Sequence, residues 1–195
     1  MQRVAEISRK TQETDIQLSI NLDGTGAATV ATGVGFFDHM LTHLAKHSLI
    51  DLTVHCTGDL HIDAHHTVED VGICFGKALV QALGTKQGIR RYGDRTLPMD
   101  DSMVTAAIDL SGRPYLIWKV VVPNETLGQF HSSLGEEFWR AVSSAGLFNL
   151  HVVLHHGTNA HHILEASFKA IAQALRFAIE FDPRSNAIPS TKGVL

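Results

Sequence analysis

The strongest constraint on this chain is that it repeats itself. Asp63-Ala64-His65-His66-Thr67-Val68-Glu69 returns 96 residues later as Asn159-Ala160-His161-His162-Ile163-Leu164-Glu165, in a sequence of 195 residues. Laying residues 51–83 on 147–179 gives eight identities in 33 positions, among them His55/His151, both His-His pairs, Glu69/Glu165 and the helix-face pair Leu79/Leu175. Upstream, Ile20-Asn21-Leu22-Asp23-Gly24 resembles Ile108-Asp109-Leu110-Ser111-Gly112 at a separation of 88, so residues are inserted in the second half between the two blocks. A period this long is not the roughly 20–50-residue unit of a solenoid. It predicts two similar halves, about 1–92 and 93–195, packed into a single domain, with a C-terminal arm from about 182 where Pro183, Pro189 and Gly193 end the helical pattern.

Each half reads as strands followed by helices. Residues 16–22 and 27–31 look like a hairpin about Asp23-Gly24-Thr25-Gly26, and 104–110 with 115–122 look like another about Ser111-Gly112-Arg113-Pro114. Helical spacing follows over 37–47 and 134–145, strands over 49–55 and 147–154, and a second helix from each His-His pair. The second helices carry the apolar stripes Val71, Phe75, Leu79, Leu83 and Phe168, Ile171, Leu175, Ile179. The expected fold class is α+β, an internal duplication of a βββαβα half with sheets packed on helices.

Charge and cysteine usage remove other classes. A net charge of −4, with Lys and Arg scattered, leaves no basic stripe for nucleic acid. Cys56 and Cys74 form no C-x-x-C pair, no apolar run approaches the ~18 residues of a membrane span, and Met1-Gln2-Arg3-Val4-Ala5-Glu6 does not open a secretory signal. The expectation is a cytoplasmic protein with no membrane partner.

The 13 histidines are the unusual feature of the composition. In His-His-x-x-Glu at a helix start, the first His and the Glu lie four residues apart on one face and can grip one ion. The middle His projects ~100° round the helix and suits a second ion or a partner motif. Two copies supply four imidazoles and two carboxylates, enough for two ions if each copy lends its middle His to the other's ion. Such a shell fits Mn, Fe, Co, Ni or Zn, and the absence of thiolates argues against a structural zinc site. One copy reads equally well as a polar helix end; two at matched positions do not.

Several further stretches bear on identity: Arg9-Lys10-Thr11-Gln12-Glu13-Thr14, Gly35-Phe36-Phe37-Asp38-His39-Met40-Leu41, the block from Asp63 to Asp70, Ser111-Gly112-Arg113-Pro114-Tyr115, the block from His161 to Ala170, and Pro189-Ser190-Thr191-Lys192-Gly193. In order and spacing, from about Arg3 to Leu195, they resemble the signature blocks of the imidazoleglycerol-phosphate dehydratase family. The resemblance implies a ribosomal protein S5 domain 2-like fold and the dehydration of imidazole glycerol phosphate to imidazole acetol phosphate in histidine biosynthesis. It also implies a homo-oligomeric shell of about 24 subunits with active sites between protomers.

That resemblance further implies two manganese ions per active site. One is held by His39, His66, His161 and Glu165, and the other by His65, Glu69, His162 and a residue on the 134–145 helix. Many relatives carry a histidine there; this sequence has Glu137, a carboxylate able to replace an imidazole on manganese. Glu13, Arg91, Arg113, Lys169, Ser190 and Lys192 stand at the substrate positions. Arg91 and Arg113, which alone read as solvated turn residues, become phosphate contacts on this resemblance. Ions gripping the substrate's ring favour loss of the hydroxyl on the adjacent carbon, after which Glu13, Glu69 or Glu165 takes the neighbouring proton. The unligated carboxylate, Glu13, is the simpler base. A dinuclear hydrolase or a non-catalytic metal-binding shell would share the ligands but not the substrate cradle.

The other histidines are not recruited. His39, His43 and His47 fall at i, i+4 and i+8, yet only His39 matches a ligand of the family, and His43 is expected beside the site. His155-His156 lacks a Glu at the required spacing. These, with His47, His61 and His131, read as surface residues or neighbours of the site, and the repeat-matched His55 and His151 as hydrogen-bonding partners of the ligands.

Overall fold

The computed structural model describes residues 3–195. The first half runs β1 (Val4–Lys10), β2 (Thr14–Asn21), β3 (Ala28–Ala31), α1 (Gly35–Ser48), β4 (Asp51–Gly58) and α2 (His65–Leu83). The second runs β5 (Tyr92–Met99), β6 (Ser102–Asp109), β7 (Tyr115–Lys119), the short strands β8 (Thr126–Leu127) and β9 (Phe130–His131), α3 (Leu134–Gly146), β10 (Asn149–His156) and α4 (Ala160–Ile179). Two four-stranded sheets result, ordered β1-β2-β4-β3 and β5-β6-β10-β7, so the α+β class and its duplication are present in the topology itself.

The hairpins fall one strand earlier than the sequence suggests. β1 pairs with β2 and β5 with β6, both antiparallel, whereas β3 and β7 lie parallel to β4 and β10 on the far edge. A helix lies between β3 and β4 and, after the β8–β9 hairpin, between β7 and β10, and a strand–helix–strand unit closes as a parallel pair. The turn after β2 is held accordingly: Asp51 Oδ1 accepts the backbone N–H of Thr25 at 2.8 Å and of Ala27 at 2.9 Å, fastening it to the head of β4.

Register gives the true correspondence between halves. Asn21 pairs with Asp51 and Asp109 with Asn149, so the separation is 88 residues for the early strands and 98 for the first helix and β4 against α3 and β10, returning to 96 at the His-His motifs. The step between them is the β8–β9 hairpin, which has no counterpart among the described residues of the first half. His55 faces Gln17, and the residue facing Thr105, 88 positions beyond Gln17, is Val153. The His55/His151 match is therefore not a structural equivalence. Both side chains are exposed, and His151 stacks on Tyr115 with ring centroids 6.3 Å apart; neither is a partner of the motif histidines.

The helices form the shared layer between the sheets. α2 packs on β1 and β2, α4 on β5 and β6, and the halves interlock through α1 against α4 and α2 against α3. Alternate strand residues such as Ile16, Leu18, Ile20 and Val104, Ala106, Ile108 turn inward, while Phe37, Phe75, Phe138, Trp139 and Phe168 fill the layer. Phe138 stacks on Phe168 at 5.4 Å and meets Phe37 edge-on at 5.2 Å, joining helices of both halves. α2 comes closest to α3 at Gly72 and Gly76, where a Cβ would lie 2.9 Å from the Phe138 carbonyl and 2.6 Å from that of Val142.

Candidate active site

Each His-His-x-x-Glu motif opens a helix with an Asx side chain bonded to its first turn, at the N-cap in α4 and one residue before the N-cap Ala64 in α2. Asn159 caps α4 by accepting the His162 N–H at 3.1 Å, and Asp63 accepts that of His65 at 2.7 Å. α2 is further clamped to the β1–β2 turn through Asp70, which is buried and takes hydrogen bonds from Arg9 Nη2 at 2.6 Å and Thr14 Oγ1 at 2.5 Å.

Where α1 crosses α4, ring nitrogens gather around one carboxylate. Glu165 Oε2 is 3.0 Å from His161 Nε2 and 3.3 Å from His39 Nε2, and Oε1 is 3.4 Å from His43 Nε2. The donor atoms of His39, His43 and Glu165 all lie within 4.8 Å of one another, a group able to hold a metal ion. Phe36 props the His161 ring edge-on at 5.1 Å. His43, expected beside the site, thus stands within its donor group.

Charge in this cluster is settled by Lys169, whose Nζ donates to Glu165 Oε1 at 2.5 Å. Burial pushes the Glu165 carboxyl upward, but the Lys169 ammonium, His43 and His161 outweigh it and hold it at about 2. Burial lowers His43 to about 4 despite the neighbouring carboxylate, leaving a neutral imidazole whose Nε2 lies 3.2 Å from that of His39.

A second group lies where α2 crosses α3. His65 Nε2 is 3.9 Å from Glu69, and Glu69 shares a groove with Glu137, Ile73 and Arg140. Glu137 sits 98 residues after His39, at the matching place on its helix, since the left-handed C-caps Leu49 and Leu147 have the same separation.

His66 and His162 belong to neither group. His66 turns to Asp59, with Nδ1 2.9 Å from Oδ2, and its Nε2 is 3.7 Å from Glu13. Asp59 raises its pKa. His162 turns to Asp101, with Nδ1 2.7 Å from Oδ1. Asp101 also accepts backbone N–H bonds from Thr158 and Asn159; these, the Thr158 bond first, hold its carboxyl well below the usual range. Reading the motifs alone misses Asp59 and Asp101, which reach them from loops; the separation of 88, carried back into the β1–β2 turn, would have set Asp101 opposite Glu13.

Four of the proposed substrate residues gather at the tail. Arg91, with a positive φ of 72°, donates to Asp109 at 2.7 Å and to the Pro189 carbonyl at 2.9 Å. The Gly112 turn before Arg113 abuts Leu195, and Ser190 Oγ accepts the Lys192 N–H at 3.2 Å. The Arg91 N–H bonds the Ala178 carbonyl, near the far end of α4 from His161. At ~1.5 Å rise per residue, the tail cradle lies roughly 25 Å along α4 from the metal-binding group of the same chain.

The imidazoleglycerol-phosphate dehydratase family profile matches residues 32–175. An imidazoleglycerol-phosphate dehydratase of Cereibacter sphaeroides is 60% identical over 99% of this chain and 100% of its own, and one of Jannaschia sp. is 59% identical over the same shares. The crystal structure of the Staphylococcus aureus enzyme superposes with a TM-score of 0.84 at 36% identity, covering 92% of this chain and 99% of that one. The Pyrococcus furiosus structure, in complex with (S)-C348, also gives 0.84, at 35% identity over 97% of this chain and all of the other. With two motif-bearing halves, a histidine–carboxylate cluster where they cross and likeness along nearly the whole length, the chain belongs to the imidazoleglycerol-phosphate dehydratase family.

Proposed function

We propose that this dehydratase converts imidazole glycerol phosphate to imidazole acetol phosphate, in the cytoplasm and as a step of histidine biosynthesis, at a two-manganese site assembled between protomers. One ion falls to His39, His161 and Glu165 of one chain with His66 of a neighbour. The other falls to that neighbour's His65, Glu69 and Glu137 with His162 of the first. The observation that carries this reading is the split itself: His66 and His162 stand outside both donor groups of their own chain.

The donor chemistry fits, since imidazole nitrogens and carboxylates suit manganese. Bound there, the ions supply Lewis acidity and a template for the substrate's ring. Glu13 is the proposed base because it lies beside His66 without belonging to either donor group. It takes the proton from the carbon next to the one losing its hydroxyl; the C–O bond breaks with its electron pair on that oxygen, which picks up a proton from solvent and leaves as water, Glu13 returns its proton to solvent, and the resulting enol becomes the ketone. Lys169 approaches the substrate from the Glu165 side. Arg91, Arg113, Ser190 and Lys192 hold the phosphate, with Arg91 also fixing the tail that carries the last two. Their distance along α4 from His161 and Glu165 supports a cradle that serves a site on another protomer, as a closed shell of about 24 subunits would require.

The deciding experiment is turnover of imidazole glycerol phosphate by protein stripped with chelator and reloaded with manganese. Activity should vanish and return with metal; a fully metallated, assembled protein that makes no imidazole acetol phosphate would overturn the reading.

A further inference from the structure

Glu13 and Asp101, 88 residues apart, occupy the same place in the two sheets. Lys10 faces Asp15 across the β1–β2 turn, and Pro98 faces Met103 across the β5–β6 turn, so each carboxylate sits just before the returning strand. Their tasks have nevertheless diverged. Asp101 bonds His162 Nδ1 at 2.7 Å, whereas Glu13 stands 3.7 Å from the other nitrogen of His66, whose Nδ1 is taken by Asp59 at 2.9 Å. Asp59 comes from the loop between β4 and α2 and has no counterpart in the second half, where residues 155 and 157 are His155 and Gly157.

We propose that Asp59 and Asp101 are positioning residues that hold His66 and His162 with Nδ1 protonated and Nε2 turned outward as the donor to a metal ion, and that Asp59 thereby leaves Glu13 free to act as a base. The proposal rests on the reading of His66 and His162 as ligands. An ionised carboxylate only accepts, so the hydrogen of each contact lies on Nδ1 and the lone pair on Nε2. A carboxylate behind the ring also fixes its orientation and strengthens it as a ligand. Asp59 is costly to keep for any other reason: its side chain is 12% exposed, and its Oδ1 is buried with no hydrogen-bond partner among the described residues. The two halves thus reach one imidazole geometry by different routes, and the route through Asp59 releases a carboxylate that the second half uses up.

The test is manganese affinity of the whole assembled protein, by equilibrium dialysis with metal analysis, alongside melting of each metal-free variant. Asp59→Ala should bind manganese about 10–100-fold more weakly, with metal-free melting unchanged. Asp59→Asn, which keeps an accepting oxygen but not the charge, should fall between it and the parent, and decides the matter if the alanine variant does not fold. Wild-type affinity in the folded alanine variant, or in the asparagine variant where only that one folds, would overturn the proposal. His66→Ala separates the two levels. If it too binds manganese normally, His66 is no ligand and the underlying reading fails; if it alone loses metal, the reading stands and Asp59 does not position it.

Discussion

Glu165 is kept charged at a buried position by a lysine, and that arrangement suits replacement by a metal cation. With a side chain 6% exposed, Glu165 in Lys169→Met would lose its strongest partner. The metal-free variant should be less stable by about 1–3 kcal/mol. Manganese should restore most of the deficit, because the ion occupies the same carboxylate; melting with and without metal checks both parts. His43 sets a pH dependence of the opposite kind. Its folded pKa, about 4, lies below the ordinary 6.5, so between those values the unfolded chain binds a proton that the folded chain refuses. Metal-free protein should therefore lose stability as pH falls through that window, by up to about 1.4 kcal/mol per pH unit. His43→Gln should flatten the slope in urea titrations, and an unchanged slope would exclude a buried neutral His43 as its source. At this scale the approach of each motif's first His to its Glu was legible because four-residue spacing on a helix is a local property. His43 was harder to place because its meaning depends on which helix crosses α1, and Asp59 and Asp101 act from outside the helix they serve.

Among the elements, the crossing of α2 and α3 depends on two glycines. Gly76→Ala would put a methyl 2.6 Å from the Val142 carbonyl and 2.9 Å from Ala145 Cβ, so α3 must shift. A cost of about 1–3 kcal/mol follows from overpacking, and the shift would also move Glu137 relative to Glu69. Denaturation and manganese content measured together should change together; a destabilised variant with full metal content would mean the groove tolerates the displacement. The helices and their order were readable from apolar periodicity. Strand partners were not, because alternation marks a buried face without naming the neighbour, and the crossover helix rather than the turn decides that β3 pairs with β4. The His55/His151 match misled for a related reason: register follows hydrogen bonding, and the separation in β4 and β10 is 98 rather than 96.

Across the whole molecule, the tail and the His161–Glu165 group of one chain lie at opposite ends of α4, so on the proposed reading phosphate binding and metal binding should fail separately. Removing residues 189–195 is expected to lower kcat/KM at least roughly 100-fold while manganese content stays at the parent level. Arg91→Ala should act mainly on KM, because it fastens Pro189 and is proposed to contact the phosphate. Loss of metal in either variant would contradict the separation. The duplication was visible in the sequence, but the distance between the cradle and the ligands was not: it required knowing that Arg91 bonds the end of α4.

The outward-turned middle histidines have a consequence for inheritance. If every site joins α1 and α4 of one chain to α2 and α3 of another, a lesion at His161 and a lesion at His65 damage different halves of different sites. A cell carrying both alleles, each dead alone, would build some mixed particles in which an intact first half meets an intact second half, and would grow without added histidine. Two lesions in the same half could not rescue each other. The pairwise table of which alleles complement would then map, without a structure, which residues of this chain meet one another only across the boundary between subunits.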